Sequence, residues 1–152
     1  MIAVVQRVTE ASVDVEGVPA GSIGLGLVAL VAVCKTDTMD DVTWSAKKLA
    51  ELRLFPAGDQ HFDIDVRAAG GSILLISNFT VAASTAKGRR PSFDAAADAQ
   101  QGGELFAGLL EAVKSLGVPV QTGRFRSDMK VHLVNDGPVT VLVDSSDRRP
   151  NS

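Results

Sequence analysis

Asn135-Asp136-Gly137-Pro138-Val139-Thr140 breaks the local rules on both sides of it, and its reading decides how the chain is built. Before it, Met129, Val131 and Leu133 alternate with Lys130 and His132, the pattern of a half-buried strand; after it, Val139 to Val143 is a second apolar, β-branched run. The motif therefore reads as a rigid corner between two strands. Proline offers no N–H to a ladder and glycine no side chain to a core, so the pair costs a sheet something. A turn explains it in isolation, because Asp-Gly-Pro is good turn chemistry.

A second irregular stretch, Ser77-Asn78-Phe79-Thr80-Val81, follows the apolar strand Ile73-Leu74-Leu75-Ile76. Together the two resemble the signature motifs of the D-aminoacyl-tRNA deacylases, in which a strand-end Ser-Gln-Phe-Thr-Leu faces an Asn-X-Gly-Pro-X-Thr corner. Met1 to Val8, Ala69 to Ser72, Lys87 to Phe93 and Gln121 to Phe125 read like that family in the same order, so the resemblance spans nearly the whole chain. Two residues depart from it: Asn78 stands where the family has glutamine, and Val81 where it has leucine.

With 152 residues, one domain is expected, over residues 1–145 with a polar tail at 146–152. Hydrophobic residues make up 45% and charged residues 22%, the range of globular proteins, and no apolar run reaches the ~18 to 20 residues of a membrane span. The N-terminus lacks the pattern of a secretion signal, and the single Cys34, among apolar neighbours, reads as a small core residue. The cytoplasm is the expected compartment.

A net charge of −3 argues against a dedicated, strongly basic nucleic-acid binder. Positive charge nevertheless gathers beside both motifs, as Lys87, Arg89 and Arg90 after the first and Arg124, Arg126 and Lys130 before the second. These are either solvated surface loops or contacts to the phosphates of a tRNA end.

Periodicity predicts strands at Ile2 to Val8, Ala11 to Glu16 and Ile23 to Val33, with a turn from Gly17 to Gly21. It predicts a helix over Asp37 to Arg53, striped by Met39, Val42, Ala46 and Leu49, with Trp44 off the stripe under a loop or at a subunit contact. His61 to Val66 alternates as a strand, and its aspartates read as a solvent face rather than as metal ligands. Asp94 to Gln101 and Glu104 to Leu116 read as helix interrupted at Gly102-Gly103, followed by a short strand at Val120 to Thr122 and a fraying tail from Ser145. The order suggests mixed α/β layers. The resemblance implies a three-layer α/β/β domain that dimerises through its sheet, with each site near the subunit interface.

Ser77, Thr80, Ser84 and Thr85 offer hydroxyls, but His61 and His132 are the only imidazoles and no nucleophile elbow surrounds either, so a serine-histidine triad is disfavoured. No cluster has zinc spacing, and neither metal nor organic cofactor is expected. An aminoacyl-tRNA ester is already activated, and its ribose hydroxyl can assist water. Backbone amides around Phe79 and Thr80 would then hold the oxyanion, with Ser77 and Asn78 completing that stretch. Phe79 would shape an adenosine pocket, with Met129, Asn135, Lys87, Arg89 and Arg90 as further substrate contacts.

The resemblance further implies that Gly137-Pro138 is a cis peptide that rejects L-amino acids by obstruction, locked by Arg7, a residue that otherwise reads as an outward edge charge. Glycyl-tRNA, having no side chain to obstruct, would also be cleaved. Asn78, shorter than glutamine by ~1.5 Å, keeps two alternatives open: a deacylase for another mischarged residue, or a dimeric tRNA-end binder without turnover.

Overall fold

The computed structural model describes residues 1–148. Its organising element is β1 (Ile2–Val15), a single strand where two were expected. Its first half pairs antiparallel with β3 (Gly26–Ala32), and its second half with β2 (Val18–Ile23), on one edge. The whole opposite edge is taken by β8 (Met129–Asp144). The expected break at Thr9-Glu10 is instead a pair of register shifts, which bend the strand without ending it. The region expected to be a turn, Gly17 to Gly21, is mostly β2. Val15 pairs with Val18, and only Glu16 (φ 51) and Gly17 (φ 79) turn, both left-handed as a two-residue hairpin requires.

β3 continues in parallel into β6 (Ser72–Ser77), and β6 into β7 (Val120–Thr122), giving a six-stranded sheet, while β4 (Phe55–Ala57) and β5 (Gln60–Ile64) form a separate hairpin. Successive residues of β3 and β6 face opposite sides, and both sides are buried, hence their unbroken apolar runs. Leu27, Ala29, Val31, Ile73 and Leu75 pack with α1 (Met39–Glu51) and α2 (Ala99–Ser115). Val28, Leu74 and Ile76 pack on the other side with Val8, Ala11, Val13 and Ile23, the bent half of β1 and its hairpin partner. A Cβ on Gly21 would meet the carbonyl oxygen of Thr122 at 3.0 Å, so β2 curls round to lie close to β7. This mixed α/β arrangement positions the site between the helix α2 and the curled strands.

α1 starts at Met39 rather than Asp37 because Thr38 and Asp41 form a reciprocal capping box there. Met39 itself is exposed, contrary to its place in the stripe, while Trp44 is half-buried against the core with the Lys48 ammonium 5.3 Å from the ring centroid. α2 runs unbroken through Gly102-Gly103, where an interruption was expected. The ring of Phe125 fills the space over both glycines and stacks on Phe106 at 6.2 Å. Asp98 caps the helix, so residues from Asp94 to Ala97 stay outside it.

Residues expected to fray are partly fixed. Ser145–Arg148 form a 3₁₀ turn with Ser145 buried, its hydroxyl accepting from the Met1 ammonium at 2.8 Å and donating to Asp41 at 2.8 Å. The rest of the expected tail, 149–152, lies outside the described residues.

Candidate active site

Ser77 ends β6, and Asn78 cannot continue the ladder because the chain turns at once into a 3₁₀ turn, Phe79–Ala82. The Asn78 N–H still donates to the Val31 carbonyl at 2.7 Å, which fastens the turn to the end of β3. Its side-chain oxygen accepts the Thr80 hydroxyl at 2.5 Å. The N–H groups of Phe79 and Thr80, at the start of the turn, donate to no acceptor among the described residues. Phe79 is 57% exposed and meets Phe93 edge to face at 5.1 Å. Between these rings the chain makes a loop closed by reciprocal Ser84–Ser92 backbone bonds of 2.8 Å, which carries exposed Lys87, Arg89 and Arg90.

A cavity of about 1040 Å³ opens beside this turn. Ser77, Asn78, Phe79 and Thr80 form one wall, Leu30 and Ile76 the floor, Gly102 and Phe125 another side, and Met129, Val131 and Leu133 the curled strand opposite. Met129 thus lines the same cavity as the first motif. No histidine lines the cavity. His132 is 60% exposed on β8 with its Nε2 3.2 Å from Asp14, away from every hydroxyl of the first motif.

The second motif is elsewhere. β8 does not break at Asn135: it pairs Asn135 with Val8 and Thr140 with Gln6, so the intervening residues bulge out opposite Arg7. Asn135 closes the bulge, its side-chain oxygen accepting the Val139 N–H and its amide donating to Thr140, each at 3.0 Å. Arg7 is no edge charge. Its guanidinium, 12% exposed, donates to the carbonyls of Asp136 (3.2 Å) and Leu54 (2.8 Å) and faces the Asp136 carboxylate at 3.4 Å. The Gly137-Pro138 peptide is cis, and Gly137 sits at φ 132.

Within one chain the two motifs do not meet. Ser77 is level with Val31, Ala3 and Val143 across the sheet, whereas the bulge is level with Arg7. On an unbent sheet that is about 13 Å along the strands and about 14 Å across, roughly 20 Å in all. Gly137, Pro138, Asn135 and Arg7 do not line the cavity, and neither do Lys87, Arg89 or Arg90. Several residues that do were not named as part of the site by sequence reading, among them Glu16, Asp98, Phe125 and Asp128. Only Phe125 carried a signal, as an aromatic residue between two arginines in a turn.

The site thus combines a strand-end turn whose first two N–H groups meet no acceptor among the described residues, an exposed aromatic ring and a cavity that no histidine lines. The D-Tyr-tRNA(Tyr) deacylase family model matches residues 4–144, and the chain belongs to that family. It is 48% identical over 148 residues to the D-aminoacyl-tRNA deacylase of Geobacter sulfurreducens, covering 97% of each chain, and 45% identical over 146 residues to that of Thermotoga petrophila, covering 96% of this chain and 98% of the other. Among solved structures it is similar to the c-Myc DNA unwinding element binding protein, with a TM-score of 0.88 and 33% identity over 95% of this chain and 98% of that one. A probable eukaryotic D-amino acid tRNA deacylase shares the fold alone, with a TM-score of 0.82 at 15% identity over 93% of this chain and 97% of that one.

Proposed function

We propose that this chain hydrolyses the ester of D-aminoacyl-tRNA, releasing the amino acid and tRNA. The observation that carries the reading is the pair of undonated N–H groups at Phe79 and Thr80, in a family-matching stretch that walls the cavity. An ester carbonyl seated there gains two donors as its oxygen becomes an oxyanion, and one well-aimed donor is typically worth ~3 to 4 kcal/mol at the transition state. The neighbouring ribose hydroxyl of the terminal adenosine assists the attacking water, and Phe79 gives the nucleoside an apolar face. The Lys87, Arg89 and Arg90 loop, joined to Phe79 through Phe93, supplies positive charge for the tRNA backbone beyond the terminal nucleotide.

Chiral selection is assigned to Gly137-Pro138, held by Arg7 and Asn135, which obstructs the side chain of an L ester. Its distance from the cavity of its own chain supports a homodimer in which each protomer's corner serves its partner's cavity. β8 favours such pairing through the sheet: among the described residues its outer edge has no partner strand, and Val134 (48%) and Leu142 (73%) are exposed on it. No helix among the described residues is long and apolar enough to cross a membrane, and the cytoplasm, where charged tRNA is used, is the proposed compartment.

The test is paired deacylation of D-tyrosyl-tRNA and L-tyrosyl-tRNA, with glycyl-tRNA beside them and excess chelator throughout. Rapid loss of the D ester, some loss of the glycyl ester and survival of the L ester are expected. A glycyl ester as inert as the L ester would remove selection by obstruction. Stability of all three with folded protein would remove the deacylase reading.

A further inference from the structure

Among the described residues Arg126 is the only basic one on the cavity wall, whose other charged members are Glu16, Asp98 and Asp128. It is exposed, forms no ion pair among the described residues, and is held at φ 59, in the left-handed region that non-glycine residues avoid. The loop between β7 and β8 explains how it is held there. On one side the Phe125 ring is stacked on Phe106 and over Gly102-Gly103. On the other, the Asp128 carbonyl accepts the Glu16 N–H at 3.3 Å, just before β8 begins. At the loop's start Gly123 lies so close to Met129 that a Cβ would stand 2.5 Å from its sulfur. Between these anchors the chain must turn, and it turns at an arginine. A strained residue whose side chain has no hydrogen-bond or ion-pair partner among the described residues points to a partner from outside.

The chemistry of the substrate narrows that partner. An aminoacyl-adenosine carries no negative charge: its ester and nucleoside are neutral and its ammonium is positive. The first anion along the molecule is the phosphodiester on the 5′ side of the terminal nucleoside. We propose that Arg126 binds this phosphodiester, through the forked, charge-assisted hydrogen bonds that guanidinium makes with phosphate, and so seats the terminal nucleotide in the cavity. The inference rests on the aminoacyl-tRNA reading of the site and adds to it a residue that tells a nucleotide from a nucleoside. The three acids along the same wall disfavour a phosphate elsewhere on it, which fixes the direction in which the substrate enters.

The experiment compares three substrates with the intact protein: D-tyrosyl-adenosine, which has no phosphate, the D-tyrosyl ester of the dinucleotide CpA, which has one, and D-tyrosyl-tRNA. The native protein should show a KM about tenfold lower for the dinucleotide than for the nucleoside. Arg126→Gly should erase that difference, leave kcat within about twofold, and flatten the salt dependence of KM for D-tyrosyl-tRNA by roughly 0.7 to 1 in log–log slope, the release expected for one phosphate contact. Arg126→Lys should restore the salt slope and part of the KM.

Because glycine relaxes the left-handed backbone, the thermal midpoint of Arg126→Gly should not fall, so weakened binding cannot be ascribed to unfolding. An equal loss on nucleoside and dinucleotide would overturn the proposal by placing Arg126 at the ester. Unchanged kinetics on all three would overturn it by making the arginine an idle surface charge. Failure of the native protein on every substrate would instead bring down the reading of the site itself, and the proposal with it.

Discussion

Thr80 separates two chemistries for this site. Its hydroxyl donates to the Asn78 side-chain oxygen at 2.5 Å, no histidine lines the cavity, and the N–H beside it is undonated. If catalysis lies in the backbone, Thr80→Ala should keep deacylation of D-tyrosyl-tRNA within about tenfold of the native rate, the loss being the support that the hydroxyl gives the turn. A loss of several thousandfold, with an unchanged circular dichroism spectrum, would make that hydroxyl the nucleophile. The sequence showed the residue types at this site but not their partners. Asn78 was legible only as an amide shorter than glutamine, and the structure shows its oxygen engaged within the turn. Arg7 was ambiguous between an edge charge and a lock until the carbonyls of Asp136 and Leu54, far apart in sequence, were seen to converge on it. Arg126 gave no sequence signal of strain, because its φ is set by anchors that lie in other elements.

Among the elements, the β3–β6 pair leaves the least room for change. Gly26 opens β3 opposite Ser72, and a Cβ there would fall 1.8 Å from the Ser72 carbonyl oxygen, inside the parallel ladder that delivers Ser77 to the cavity. Backbone cannot rotate away as a side chain can, so Gly26→Ala should destabilise the protein by at least about 3 kcal/mol, read from the urea midpoint at constant m-value. A cost below about 1 kcal/mol would mean that the ladder can slide, and that the first motif is not rigidly placed. Unbroken apolar runs made β3 and β6 legible, since burial on both faces leaves a mark that is local in sequence. It failed where a distant group overrides the local signal. Gly102-Gly103 looks like a helix break, yet the Phe125 ring occupies the space side chains would have taken, and α2 continues. Asn135 to Thr140 looks like a corner between two strands, yet β1 runs beneath the whole segment and makes it a bulge in one.

On the scale of the whole molecule, what could not be read is how the sheet curls, and with it the cavity: Thr80, Gly102, Arg126 and Leu133 meet there from four separate parts of the chain. The same closure brings the ends of the described chain to α1. Asp41, almost fully buried in its first turn, accepts from Ser145, from the Thr38 N–H and from the Arg148 guanidinium. Burial alone would raise its pKa, but these hydrogen bonds, that of Arg148 foremost, outweigh it and hold the carboxyl well below the usual carboxylate range. A carboxyl whose pKa is depressed by folding adds stability that is complete above its unfolded value, near ~3.9, and is lost as pH falls from there through the folded value. Stability of the native protein should therefore decline below about pH 5, with Asp41 contributing to the slope. Asp41→Asn should lower stability at pH 7 by roughly 2 to 3 kcal/mol, since it leaves Arg148 and the capping N–H with a neutral partner, and should make the decline between about pH 4.5 and 2.5 shallower. Urea unfolding at several pH values reads both effects. Parallel curves for the two proteins, displaced but of equal slope, would show that Asp41 titrates alike folded and unfolded, and that the junction of α1 with Ser145 and Arg148 is held by packing rather than by charge.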